Sequence, residues 1–109
     1  MESLMKPPPR SYNAFVARHP KLGEAWQLIR EAEAAGPIEA ADRRLVKLAV
    51  AVGALRQGAV SSAARKARAE GISLEAMEQV VALATSTIGL PAAVACRDWI
   101  HSALEGPST

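Results

Sequence analysis

The chain has 109 residues, enough for one domain with a thin core. Half of it is hydrophobic but only 4% is aromatic, so alanine carries much of the apolar content. A net charge of +2 makes no demand for nucleic acid, and a single cysteine excludes an intramolecular disulfide. Met1–Lys6 contains no apolar stretch of a secretory signal. The longest apolar run, Leu48–Leu55, falls far short of the roughly 18 residues that span a bilayer. The expected setting is therefore cytoplasmic, with no membrane and no nucleic-acid partner.

Residues 1–10 read as a flexible tail, because Pro7-Pro8-Pro9 favours extended geometry. A single helical domain is expected over 11–105, followed by a short C-terminal tail over 106–109 beginning at Gly106-Pro107. A first short helix fits Ser11–Arg18, with Ser11 as its cap. The second starts at Pro20 and carries an apolar stripe of Leu22, Ala25, Trp26, Ile29 and Ala32. Gly36-Pro37 stops it.

A third helix opens near Glu39 and Asp42, whose charges suit the positive end of its dipole. From Leu45 to Leu55 it is apolar almost all round apart from Lys47, which predicts a central helix. Gly58 is expected to bend the chain before a fourth, basic helix ending at Gly71. Ser73 caps the fifth, with Ile72 and Met77 placed as a hydrophobic staple. That helix buries Met77, Val80, Val81, Ala84 and Ile88 and ends at Gly89. Pro91 begins the sixth, which runs to about Leu104. No segment alternates with period two, so no sheet is expected.

The apolar helix before Arg56-Gln57-Gly58, the basic helix ending at Gly71, and Gly89-Leu90-Pro91-Ala92-Ala93 together resemble the carboxymuconolactone decarboxylase / alkylhydroperoxidase D-like family. The likeness covers roughly residues 20–104. It implies an all-α domain of about six helices, with the hairpin from Leu45 to Gly71 at its centre. It also implies a homo-oligomer, a trimer or hexamer, which suits a thin alanine-rich core.

One branch of that family carries a redox dithiol with a glutamate and a histidine as proton relay. In an ungapped register those places fall on Arg44, Arg56, Ala59 and Ala63. Alanine and arginine cannot supply a thiolate, so the resemblance implies no thiol peroxidase. The decarboxylase branch matches at Arg43, Arg56 and Gly89–Ala93. Its glutamate and histidine fall on Ala59 and Ala63, which have no proton to transfer.

What is left suits anion binding. Arg43, Arg56, Ser61 and Ser62 are the candidate ligand-binding residues, for a small carboxylate. No catalytic residue, cofactor or metal ligand is assigned. His19 and His101 lie on different helices, without metal-ligand spacing. Cys96 shares an apolar face with Ala92, Trp99, Ile100 and Ala103 and reads as core. Arg65-Lys66-Arg68 reads as a solvated face, and Trp26 and Trp99 as core or interface anchors. His101 reads as part of a polar stripe with Arg97 and Glu105. Three functions stay open: a non-redox protein with a degenerate site that binds an anionic metabolite, a lyase like the lactone decarboxylases using a non-standard residue set, and a structural or partner-binding subunit.

Overall fold

The computed structural model describes residues 10–105, so the two expected tails lie outside the described residues, save Arg10. Six helices and no strand occur among them. They are α1 (Arg10–Arg18), α2 (Pro20–Ala34), α3 (Ala40–Gly53), α4 (Gln57–Ala69), α5 (Leu74–Ile88) and α6 (Leu90–Glu105). The chain divides into two compact units, one ending at Ile38 and one beginning at Glu39.

The first unit is the α1–α2 hairpin. Ser11 lies inside the first turn of α1 and does not cap it. Pro20 takes the first position of α2, where its missing N–H costs nothing. His19 precedes it as the cap residue, without a side-chain bond, and its ring lies 4.9 Å from that of Phe15. The helices approach closely at Gly23, where a Cβ would stand 3.3 Å from that of Val16. Neither helix buries a residue, and the expected stripe of Leu22, Trp26 and Ile29 is exposed. Trp26 is therefore not a core anchor within the protomer.

The second unit is a four-helix bundle. Around its ring α3 packs on α4, α4 on α6, α6 on α5, and α5 back on α3. Its core is Leu48, Ala51 and Val52 from α3, Val60, Ala64 and Ala67 from α4, Met77 and Val81 from α5, and Ala93, Cys96 and Ile100 from α6. Six of these eleven come from the α3–α4 hairpin. Ala64 and Ala67 leave space for the helices to come close, which is how an alanine-rich chain fills a core.

The helix ends explain the connections. The Ser73 side chain accepts a hydrogen bond from the Ala76 N–H at 3.1 Å. Ile72 packs against the core beside fully buried Met77, completing the expected staple. At the end of α4 the Gly71 N–H reaches the Arg68 carbonyl and the Ile72 N–H reaches that of Ala67, each at 3.0 Å. This Schellman turn needs a left-handed residue, and Gly71 supplies it with φ 86°.

The same turn closes α3, with one difference. Leu55 donates to Val52 at 3.0 Å and Arg56 to Ala51 at 3.2 Å, but the left-handed position is held by Leu55, φ 56°. The expected break at Gly58 is thus misplaced: Gly58 is helical, inside the first turn of α4. A leucine gives no sign in its side chain that its backbone is left-handed.

Helix α3 also departs from a wholly central helix. Leu48, Ala51 and Val52 face the core, whereas Val46 is 49% exposed and Val50 is 67% exposed. Its apolar content is split between two opposite sides, and only one is covered within the four-helix bundle.

Candidate functional site

The α3–α4 connection positions the candidate residues. Because Leu55 turns the chain out of α3, Arg56 becomes the N-cap of α4, in extended conformation and without a side-chain cap bond. The first helical bond of α4 runs from the Val60 N–H to the Arg56 carbonyl at 2.8 Å. The N–H groups of Gln57, Gly58 and Ala59 precede it and have no partner among the described residues. A Cβ at Gly58 would meet nothing within 4 Å, so the approach to these donors is open.

Arg56 is exposed, and its side chain has no hydrogen bond or ion pair among the described residues. Positive charge, helix dipole and unbonded N–H groups therefore stand together at the start of α4. Ser61 and Ser62 are half-buried and lie in the second turn of α4, not in the first, where its unbonded N–H groups are. Consecutive residues of a helix diverge by about 100°, so the two hydroxyls do not aim at one point. Arg43 is half-buried on α3, in the first turn. Arg56 is the candidate that the helix ends serve best.

Its neighbour Arg44 has a different occupation. The Arg44 Nε lies 2.7 Å from a carboxylate oxygen of Glu70, tying the start of α3 to the end of α4. Ala59 and Ala63 lie about one turn apart on one face of α4, four positions from each other, with no titratable atom on either.

A second polar centre joins α5 and α6. The Glu78 carboxylate meets His101 Nε2 at 2.5 Å and Arg97 Nε at 3.2 Å. The hydrogen bond with His101 holds the Glu78 carboxyl below its ordinary range, and Arg97 adds to this. His101 is thus tied to another helix and is not a merely solvated stripe residue. Beside this cluster lies a shallow groove of about 210 Å³, with Val81, Thr85, Leu90 and Val94 along it and Glu78 and Arg97 at one end. Sequence spacing missed it, because Glu78 and His101 are 23 positions apart.

Cys96 is fully buried, as its apolar face predicted, and burial pushes its thiol up. A protonated, enclosed thiol is a poor nucleophile. Trp99 packs against the core. The basic residues Arg65, Lys66 and Arg68 are exposed near the C-terminal end of α4, where the dipole favours cations. Among the described residues there is no group of three or more side chains that could hold a metal ion, and no helix long and apolar enough to cross a membrane.

Comparison with curated proteins and with solved structures gave no match. The model of the carboxymuconolactone decarboxylase family matches residues 20–102, which takes in α2 and nearly all of the bundle. By that match over most of its length, and with the all-helical architecture to go with it, the chain belongs to the carboxymuconolactone decarboxylase family.

Proposed function

We propose that this protein is a non-redox member of its family with a degenerate active site, and that it binds a small carboxylate at the α3–α4 bend. One observation carries the reading: the unpartnered Arg56 side chain sits beside three N–H groups that α4 leaves unbonded. A carboxylate there accepts from the backbone donors and pairs with the guanidinium. Ser61 and Arg43 take secondary parts at most, and Ser62 lies further round α4. Ala59 and Ala63 offer no acid or base, which leaves the lyase alternative without a proton-transfer group at those positions. The cytoplasm is the proposed location.

Calorimetry with dicarboxylates and lactone acids tests this reading. Arg56→Ala is expected to weaken binding by about 1.5 kcal/mol, the low end for a bond to a charged group, because the site is solvated. Equal affinities for both proteins would remove it. A second reading, a structural or partner-binding subunit, is favoured by the uncovered apolar side of α3.

A further inference from the structure

The groove between α5 and α6 shares no residue with the α3–α4 bend. Four residues of α5 line it, from Glu78 to Thr85, and four of α6, from Leu90 to Arg97. Each set spans seven positions, about 10 Å at the helical rise. Buried Val81 and Ala93 give the groove a floor, while Leu90, 66% exposed, and Val94, 50% exposed, stand at its rim. The Thr85 hydroxyl donates to the Val81 carbonyl at 2.9 Å, so the hydroxyl along the groove is already bonded. The length of the groove is therefore apolar, and its polarity is gathered at one end.

That end is the Glu78–His101–Arg97 cluster. His101 Nε2 and Arg97 Nε both meet the same Glu78 oxygen, Oε2, at 2.5 Å and 3.2 Å. This uses one corner of the Arg97 guanidinium. Its two terminal amino groups have no hydrogen bond among the described residues, and the side chain is 54% exposed. A planar guanidinium presents those two groups as a fork that matches a carboxylate. An incoming cation would have to displace Arg97 or His101 from Glu78. An anion takes donors that nothing else uses.

We propose that the α5–α6 groove binds a medium-chain monocarboxylate, with its head on the terminal amino groups of Arg97 and its alkyl chain along the floor towards Leu90. Length and volume set the class. An extended chain advances about 1.2 Å per bond, as about 3.5 Å per residue over three bonds shows, so about 10 Å takes roughly eight carbons. A dry cavity of about 150 Å³ holds the six carbons of benzene, so about 210 Å³ again takes roughly eight. A dicarboxylate of that length would lay its second charge on the apolar floor, which excludes it. The site is independent of the start of α4, which offers an anion no apolar wall of this kind.

NMR titration of the full chain with sodium octanoate tests this, because backbone amide shifts place the ligand as well as measure its affinity. Shifts are expected at Val81, Thr85 and Val94. A fully buried methylene is worth about fourfold in affinity, so one half covered by a shallow groove gives about twofold per carbon, and octanoate should bind roughly 16-fold tighter than butyrate. Decanoate should gain no more than about twofold over octanoate, since its last carbons pass Leu90. Arg97→Gln should weaken octanoate at least about fivefold and leave uncharged 1-octanol within about twofold. Val94→Glu, at a half-exposed position, should weaken both ligands at unchanged helicity. Butyrate or octanol as tight as octanoate, or either variant binding like wild type, would overturn the proposal. Arg56→Ala should leave octanoate binding within about twofold. Octanoate shifts confined to residues 57–60 and lost in Arg56→Ala would move the acid to the start of α4 and overturn the groove. Groove shifts that survive Arg56→Ala, with none at 57–60 from succinate, would keep the groove and remove the function proposed for Arg56.

Discussion

Two glycine-to-alanine substitutions should have opposite signs, because the structure gives the two glycines opposite backbone roles. Gly71 holds φ 86° in the turn closing α4, and no atom lies within 4 Å of the place its Cβ would take. Its substitution therefore tests backbone conformation alone. Left-handed geometry costs an L-residue about 1–2 kcal/mol. The lost freedom of the unfolded glycine returns about 0.4–1 kcal/mol. Gly71→Ala should thus destabilise by about 1 kcal/mol. Gly58 is helical and equally open, so Gly58→Ala gains the unfolded-state term with nothing against it and should stabilise by about 0.5 kcal/mol. Urea unfolding at one fixed protomer concentration reads both, since association adds to stability. Had the chain bent at Gly58, as its position after the apolar helix suggests, Gly58→Ala would destabilise. That result would refute the assignment of the turn to Leu55, and a neutral Gly71→Ala would refute the left-handed turn that closes α4.

Ser73→Ala removes the cap bond to Ala76 and should cost about 1 kcal/mol, read by the same urea titration. Cys96→Ser puts a hydroxyl into a fully buried site where the thiol's acceptor, the Val52 carbonyl, lies 3.9 Å away, too far for a hydroxyl hydrogen bond, and should cost about 1–3 kcal/mol, while the wild-type thiol reacts with Ellman's reagent only on unfolding. The Glu78 carboxyl is held low in the folded state, so its contribution is complete above the unfolded value near pH 4.3 and is lost as pH falls through the folded value. Thermal unfolding between pH 3 and 6 should therefore show a steeper acid loss for wild type than for Glu78→Gln. A peroxide-reduction assay with a thiol reductant should show no turnover, and activity abolished by Cys96→Ala would contradict the buried-thiol assignment.

The punctuation of the fold was legible because it lies in residues with special backbones or caps. Pro20, Ser73, Gly71 and Gly89 all stand where the elements begin or end. The α3–α4 bend was not legible, because Leu55 adopts a glycine-like conformation without being glycine. Pairings far apart in sequence were also hidden. Local spacing offered His101 the residues at ±4, while its partner Glu78 comes from another helix. Periodicity found that α3 is apolar all round, but it cannot say whether the second side is covered by the same chain. Around Arg56 it was residue type that could be read, and the divergence of Ser61 from Ser62 follows only once the start of α4 is fixed at Gln57.

The Arg44–Glu70 pair gives the bend a character of its own, beyond the lack of a dithiol. Where the resemblance places a relay glutamate, this chain has an arginine, and a glutamate at the end of α4 answers it at 2.7 Å. Both side chains are roughly 70% covered, so the pair is screened less than a fully exposed one. A carboxylate at position 44 would face that of Glu70 and raise the energy of the folded state. Restoring redox chemistry would therefore take more than placing two cysteines at positions 56 and 59, since the polar contact joining α3 to α4 has been built with the opposite charge. The cation left at Arg56, one Schellman turn from α3, then has no relay to serve. It is the residue on which the proposed carboxylate binding at the start of α4 rests, beside the N–H groups of Gln57, Gly58 and Ala59.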